Sequence, residues 1–141
     1  MSLEFLLIQV PGWALFIYLV IAQCSAAVSW RLGERMGTQE TAENVTAVGV
    51  AFWKGYAFAD LVLYTPLLGL GLFGHASGAS WAPLALGAAL GITAYWPLAC
   101  LRSISAARGA AGWTLPKERD YWVVLPLIAA WGLLGIVLLW L

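Results

Sequence analysis

Charge is what this sequence has least of. Of its 141 residues only 10% are charged, 7 acidic and 7 basic, against 62% hydrophobic. Soluble domains carry about 25% charged residues, and a chain of this length buries only about two-thirds of its surface when it folds in water. At a mean hydropathy of +0.86, the apolar surface left over has no solvent but lipid, which excludes a water-soluble globule. A neutral chain with so little aqueous surface also excludes nucleic acid as a partner. Histidine occurs once, as His75, so bis-histidine haem ligation within one chain is excluded and a zinc site lacks ligands. Cys24 and Cys100 stand far apart without a Cys-x-x-Cys pair, which leaves no thiol-redox motif and no disulfide framework; both read as inert buried thiols. Phosphate loops, nucleophile elbows and paired catalytic carboxylates are missing, as is the Glu-x-x-His pairing of a metal site in a helix bundle. Neither a metal nor a cofactor is expected.

Long apolar runs are what the chain has instead. A membrane-crossing helix needs about 20 predominantly apolar residues, because the hydrocarbon layer is about 30 Å thick and a helix rises about 1.5 Å per residue. Four segments meet this: 5–30, 48–74, 81–101 and 121–141, the second interrupted only by Lys54 and Asp60. Barrel strands would alternate apolar and polar residues, and these runs do not alternate. The expectation is an all-α membrane protein, a four-transmembrane-helix bundle forming one integral membrane domain over 1–141. No Lys or Arg precedes the first run, which is also too long for a cleaved signal.

Threading follows from the basic residues, since Lys and Arg in short connections set orientation. Arg31 and Arg35 follow span one; Arg102, Arg108, Lys117 and Arg119 follow span three; the stretch His75–Ser80 and the C-terminus have none. With four spans, connections one and three share a side, so both termini are expected outside, in a multi-pass protein of a bacterial inner (plasma) membrane. The four cations of connection three also suit anionic headgroups. Trp30, Trp53, Trp81, Trp113, Tyr121, Trp122 and Trp140 fall near span ends, where aromatic rings prefer the headgroup level. Asn44-Val45-Thr46 matches a glycosylation triplet but falls on the expected cytoplasmic side.

Small residues four apart let helices approach in lipid. Gly87/Gly91 in span three, extended by Pro83 and Tyr95, read as a dimer seam or as internal packing; Gly132/Gly135 and Gly55/Ala59 offer similar faces. Prolines recur in the spans as Pro11, Pro66, Pro97 and Pro126. Inside a helix Pro66 frees the carbonyl of Val62 and Pro97 that of Thr93, which makes a kink or a hinge.

Asp60 is the residue most out of place. Lys54 snorkels to the headgroups, but Asp60 lies six residues, about 9 Å, deeper, where an ionised carboxylate costs about 2.5–3.5 kcal/mol. Trp53, Tyr56 and Tyr64 share its face on an ideal helix, at offsets of minus seven, minus four and plus four; Lys54 does not. The expected substrate or ion site is therefore Asp60 with Tyr56, Tyr64, Trp53 and Tyr95; the alternative is a structural Asp60 satisfied by Tyr95 or Gln23 from a neighbouring helix. Gln9, Gln23, Ser25 and Ser29 read as polar glue between helices. Glu34, Arg35, Glu40, Glu43 and Asn44 read as a solvated helix start that Thr38 caps.

In length and number of spans the chain resembles small multidrug transporters, which rely on a glutamate in the first span; here that span has no acid. Glu34-Arg35 and Glu43-Asn44 resemble the Arg, Asn and Glu cluster of membrane-bound glutathione-transferase-like proteins, at a different spacing. Three functions fit the composition: an oligomeric carrier or channel for a small solute or ion, a membrane-embedded enzyme acting on a lipid or apolar substrate at the cytoplasmic face, and an accessory subunit of a larger membrane complex.

Overall fold

Ser2 opens the first helix by accepting a hydrogen bond from the Phe5 N–H at 3.2 Å, which satisfies one of the amides left free at a helix start. A computed structural model of the chain describes residues 2–140, so Met1 and Leu141, the last residue of the fourth expected span, lie outside it. Helix α1 (Leu3–Val28) carries Pro11 within it and stops at Ser29, which is extended at φ −156°. A short α2 (Trp30–Met36) follows and ends at Gly37, whose φ of 71° a glycine adopts at no steric cost. The second span is α3 (Ala42–Ala59), a π-helical turn (Asp60–Tyr64) and α4 (Thr65–Ala76) in continuous succession. Helices α5 (Ala82–Ala107) and α6 (Glu118–Leu138) complete the fold.

Four helical stretches, Leu3–Val28, Ala42–Ala76, Ala82–Ala107 and Glu118–Leu138, are long and apolar enough to cross a membrane. No strand forms among the described residues; Val45 and Trp113 make one isolated bridge. The expectation of an all-helical chain with four helices of membrane-crossing length and apolarity therefore holds.

Helix α5 lies between α4 and α6, while α1 packs on α3 and α4 and touches α6. Ile8, Leu19, Leu68, Leu72, Leu86 and Leu90 fill the shared core. Two glycines set the spacing of these helices. A Cβ at Gly132 would stand 2.8 Å from the Ala94 nitrogen and 2.9 Å from the Leu90 oxygen, and one at Gly71 would stand 2.8 Å from the Leu86 Cα. Backbones therefore approach directly at α6 on α5 and at α4 on α5. By contrast, Gly55 and Gly91 have nothing within 4 Å, and Gly87 meets only Leu139. Of the expected small-residue faces, Gly132/Gly135 pack inside the chain, whereas Gly87/Gly91 and Gly55/Ala59 are left uncovered.

Connections one and three meet at one end of the bundle, the basic end, which carries Arg31, Arg35, Arg102, Arg108, Lys117 and Arg119. The Thr114 N–H donates to the Asn44 carbonyl at 2.7 Å and its hydroxyl to Asn44 Oδ1 at 3.1 Å; the Tyr121 hydroxyl donates to Glu40 at 3.1 Å. Trp30 stacks on Trp53 at 5.8 Å and Trp113 meets Trp53 edge-on at 5.9 Å, closing over buried Val45. These three indoles turn inward to pack on one another, Trp53 lying eleven residues inside the Ala42–Ala76 stretch, whereas Trp140 stays 86% exposed.

The same pairing holds Thr46 at φ 64°, ψ 162° inside α3, a region that glycine alone visits easily. Its hydroxyl then accepts from the Gly49 N–H at 3.3 Å, restarting the helix as an N-cap does. The cap expected from Thr38 is absent. Its hydroxyl donates to the Gly33 carbonyl at 3.3 Å and lies 3.0 Å from the Ser25 hydroxyl, and Glu34 accepts from the Ala42 N–H at 2.6 Å in its place.

Candidate functional site

Pro66 explains the irregular turn that carries the acid. Proline has no N–H, and its ring presses on the carbonyl four residues earlier, so the turn before it widens. The Thr65 N–H then reaches back five residues to the Asp60 carbonyl, the bond that defines a π-turn, a feature frequent at functional sites.

Widening changes which side chains share a face. On an ideal helix Asp60 and Tyr64 would lie one above the other with Tyr56; in the structure they part. Tyr64 is 2% exposed and its hydroxyl lies 2.7 Å from that of Thr93 on α5, which in turn donates to the Ala89 carbonyl at 2.8 Å. Tyr56 is 65% exposed and Tyr95 71% exposed, and both face away from the core. Trp53 belongs to the indole cluster at the basic end. The structure thus disperses the five residues grouped by spacing. Across the π-turn Tyr64 faces α5 and Asp60 faces α1, while Tyr56 and Tyr95 are exposed and Trp53 packs at the basic end.

Of the two partners expected for the carboxylate, Gln23 and not Tyr95 meets it. Its side-chain amide donates to Asp60 Oδ2 at 2.7 Å across the α1 contact. Asp60 is half-buried where the second span rests mainly on α1. Among the described residues the single ion pair joins Arg108 to Glu118, with the Arg108 guanidinium 5.6 Å from the centre of the Trp122 ring. No basic side chain therefore offsets Asp60. Arg102, Lys117 and Arg119 are exposed at the basic end.

A second polar contact lies at the opposite end of the same two spans, and spacing along one helix did not reveal it. The Gln9 amide nitrogen donates to the Leu72 carbonyl at 3.1 Å and lies 2.9 Å from His75 Nδ1. Its oxygen accepts from the Trp13 indole N–H at 2.9 Å, and the His75 ring stacks on Phe5 at 5.5 Å. Gln9 and Gln23 are fourteen residues apart, close to four helical turns, so both face the second span. Two amides at that interval in an uncharged run were the available signal. The pair Glu40 and Tyr121, 81 residues apart, left no such trace.

Among the described residues no group of three or more His, Cys, Asp or Glu could hold a metal ion. Chemically, the Asp60 arrangement can accept a proton or a cation, its second oxygen meeting no donor among the described residues. Compared with known protein families, with characterised proteins and with solved structures, the chain matches none.

Proposed function

We propose that the chain is a multi-pass protein of the plasma membrane, with both termini outside, that works as an oligomeric carrier or channel for a small solute or ion, and that Asp60 is its intramembrane binding group. The observation that carries this reading is a carboxylate about 9 Å inside the span by helix rise, held by one amide and, among the described residues, by no countercharge. A carboxylate so placed lowers its cost by taking a proton or a cation. Orientation is supported by the gathering of six basic residues at one end of the bundle. An oligomer is supported by the uncovered faces at Gly87/Gly91 and at Ala51, Gly55 and Ala59, which suit close helix contact in lipid; the same faces would serve an accessory subunit of a larger complex.

The test is proton uptake by proteoliposomes under an imposed pH gradient, followed with an internal pH dye. Asp60→Asn is expected to reduce uptake to that of protein-free vesicles while eluting from size exclusion as the parent does. Undiminished uptake in this variant would overturn the assignment of Asp60. Lowered thermal stability together with full uptake would mark it as structural.

A further inference from the structure

Three groups meet the Gln9 side chain, and together they leave it one orientation. Its nitrogen must point at the Leu72 carbonyl, which only accepts, and its oxygen at the Trp13 indole N–H, which only donates. The second amide hydrogen is therefore the one aimed at His75 Nδ1 at 2.9 Å. Nδ1 must then be the bare, accepting nitrogen of a neutral imidazole with its proton on Nε2. A proton added to Nδ1 would set two donors against each other. Rotating the amide would give no relief, because it would turn the oxygen toward the Leu72 carbonyl and the NH₂ toward the indole N–H.

We infer that Gln9 and His75 form a proton-operated latch that joins α1 to α4 at the end opposite the basic connections, closed when His75 is neutral and opened when it is protonated. Among the described residues neighbouring charges do not counter this. On α1 the titratable group nearby is Glu4, exposed beside Phe5 and making no ion pair with the imidazole. On α4, on the 77–81 connection, on α5 from Ala82 to Leu90 and on α6 from Leu133 to Leu138 there is none. The latch seals a contact already tight: a Cβ at Gly12 would stand 2.5 Å from Leu72, and one at Gly69 would stand 2.7 Å from Phe16. Releasing it frees the first turns of α1 from the half of span two that continues into the Asp60 turn. The latch stands whether or not the chain is a carrier.

Because His75 is the only histidine, nitrogen-15 labelling of histidine in the full chain, held in lipid nanodiscs, reports this ring alone. At about pH 8, above the ordinary imidazole value of about 6.5, the spectrum is expected to show Nε2 protonated and Nδ1 bare, a preference lost in Gln9→Leu. Spin labels at Leu3→Cys and Ser77→Cys, with Cys24→Ser and Cys100→Ser, measure the α1 to α4 separation. Between about pH 8 and about pH 5 the separated population is expected to rise about fivefold to tenfold, the equilibrium equivalent of one lost hydrogen bond. In His75→Phe, which keeps a ring against Phe5, it should not change with pH. An Nδ1-protonated ring at the higher pH, a ring that titrates at constant separation, or an equal shift in His75→Phe would each overturn the latch.

Discussion

Gln23 and Asp60 set two opposed costs against each other. A carboxylate within a span is expensive, and a single amide donor at 2.7 Å returns part of that cost without neutralising the charge. Removing only the donor leaves a part-buried acceptor unmet, which costs about 1–3 kcal/mol, whereas removing both partners with apolar groups is close to neutral. Gln23→Leu is thus expected to destabilise by about 1–3 kcal/mol, and Gln23→Leu/Asp60→Leu to recover most of it. Unfolding in mixed micelles with rising SDS checks the cycle; additive losses would show that the two side chains act independently. Tyr56, exposed on its own helix, should leave stability unchanged when replaced by Phe.

Helix contacts depend on which glycines meet backbone. At Gly132 an added methyl would collide with the Ala94 nitrogen and the Leu90 oxygen, neither of which can swing aside. Overpacking of this kind costs about 1–3 kcal/mol, so Gly132→Ala is expected to lower the SDS unfolding midpoint clearly. Gly91 has open space around it, and Gly91→Ala should leave that midpoint unchanged in the monomer. Should a second chain cover this face, bulkier Gly91→Leu shifts the oligomer to smaller species on size exclusion while the monomer stays folded; an unshifted oligomer would clear that face of the role. The π-turn obeys a similar local logic. Pro66 states that something must give in span two, and a free carbonyl at Val62 is where the pattern puts it. Whether the chain answers with a bend or with a wider turn is settled by what Tyr64 and Asp60 find on α5 and α1.

Threading across the bilayer is a property of all four spans together. Connections one and three are tied by the Asn44 to Thr114 and Glu40 to Tyr121 contacts, so they share one end of the bundle; in the proposed orientation their basic residues put that end inside. A single cysteine at Ser80, in a background without Cys24 and Cys100, is expected to react with an impermeant maleimide added to whole cells, and one at Gly112 only after permeabilisation. The reverse pattern would invert the topology. Composition and apolar run length were enough to read the helical class and the four helices long and apolar enough to cross a membrane. Each depends on the transfer of residues into lipid, a quantity that sums along the chain without reference to neighbours.

Partners could not be read that way. Ideal helical spacing grouped Trp53, Tyr56, Asp60 and Tyr64; it failed at Tyr64 because the widened turn rotates that side chain from Asp60 toward α5, and at Trp53 because its indole packs on Trp30 and Trp113 at the basic end. Gln23 was legible as a candidate for Asp60 but not as the donor chosen over Tyr95, since that choice needs the angle between α1 and the second span. Trp30 and Trp113 at the basic end were legible as end residues, yet their inward packing on Trp53 arises from two connections more than 60 positions apart in number. Solvent preference is additive and local, and so one strand of letters carries it. Hydrogen bonds are pairwise and directional, so their partners exist only once helices have been brought side by side.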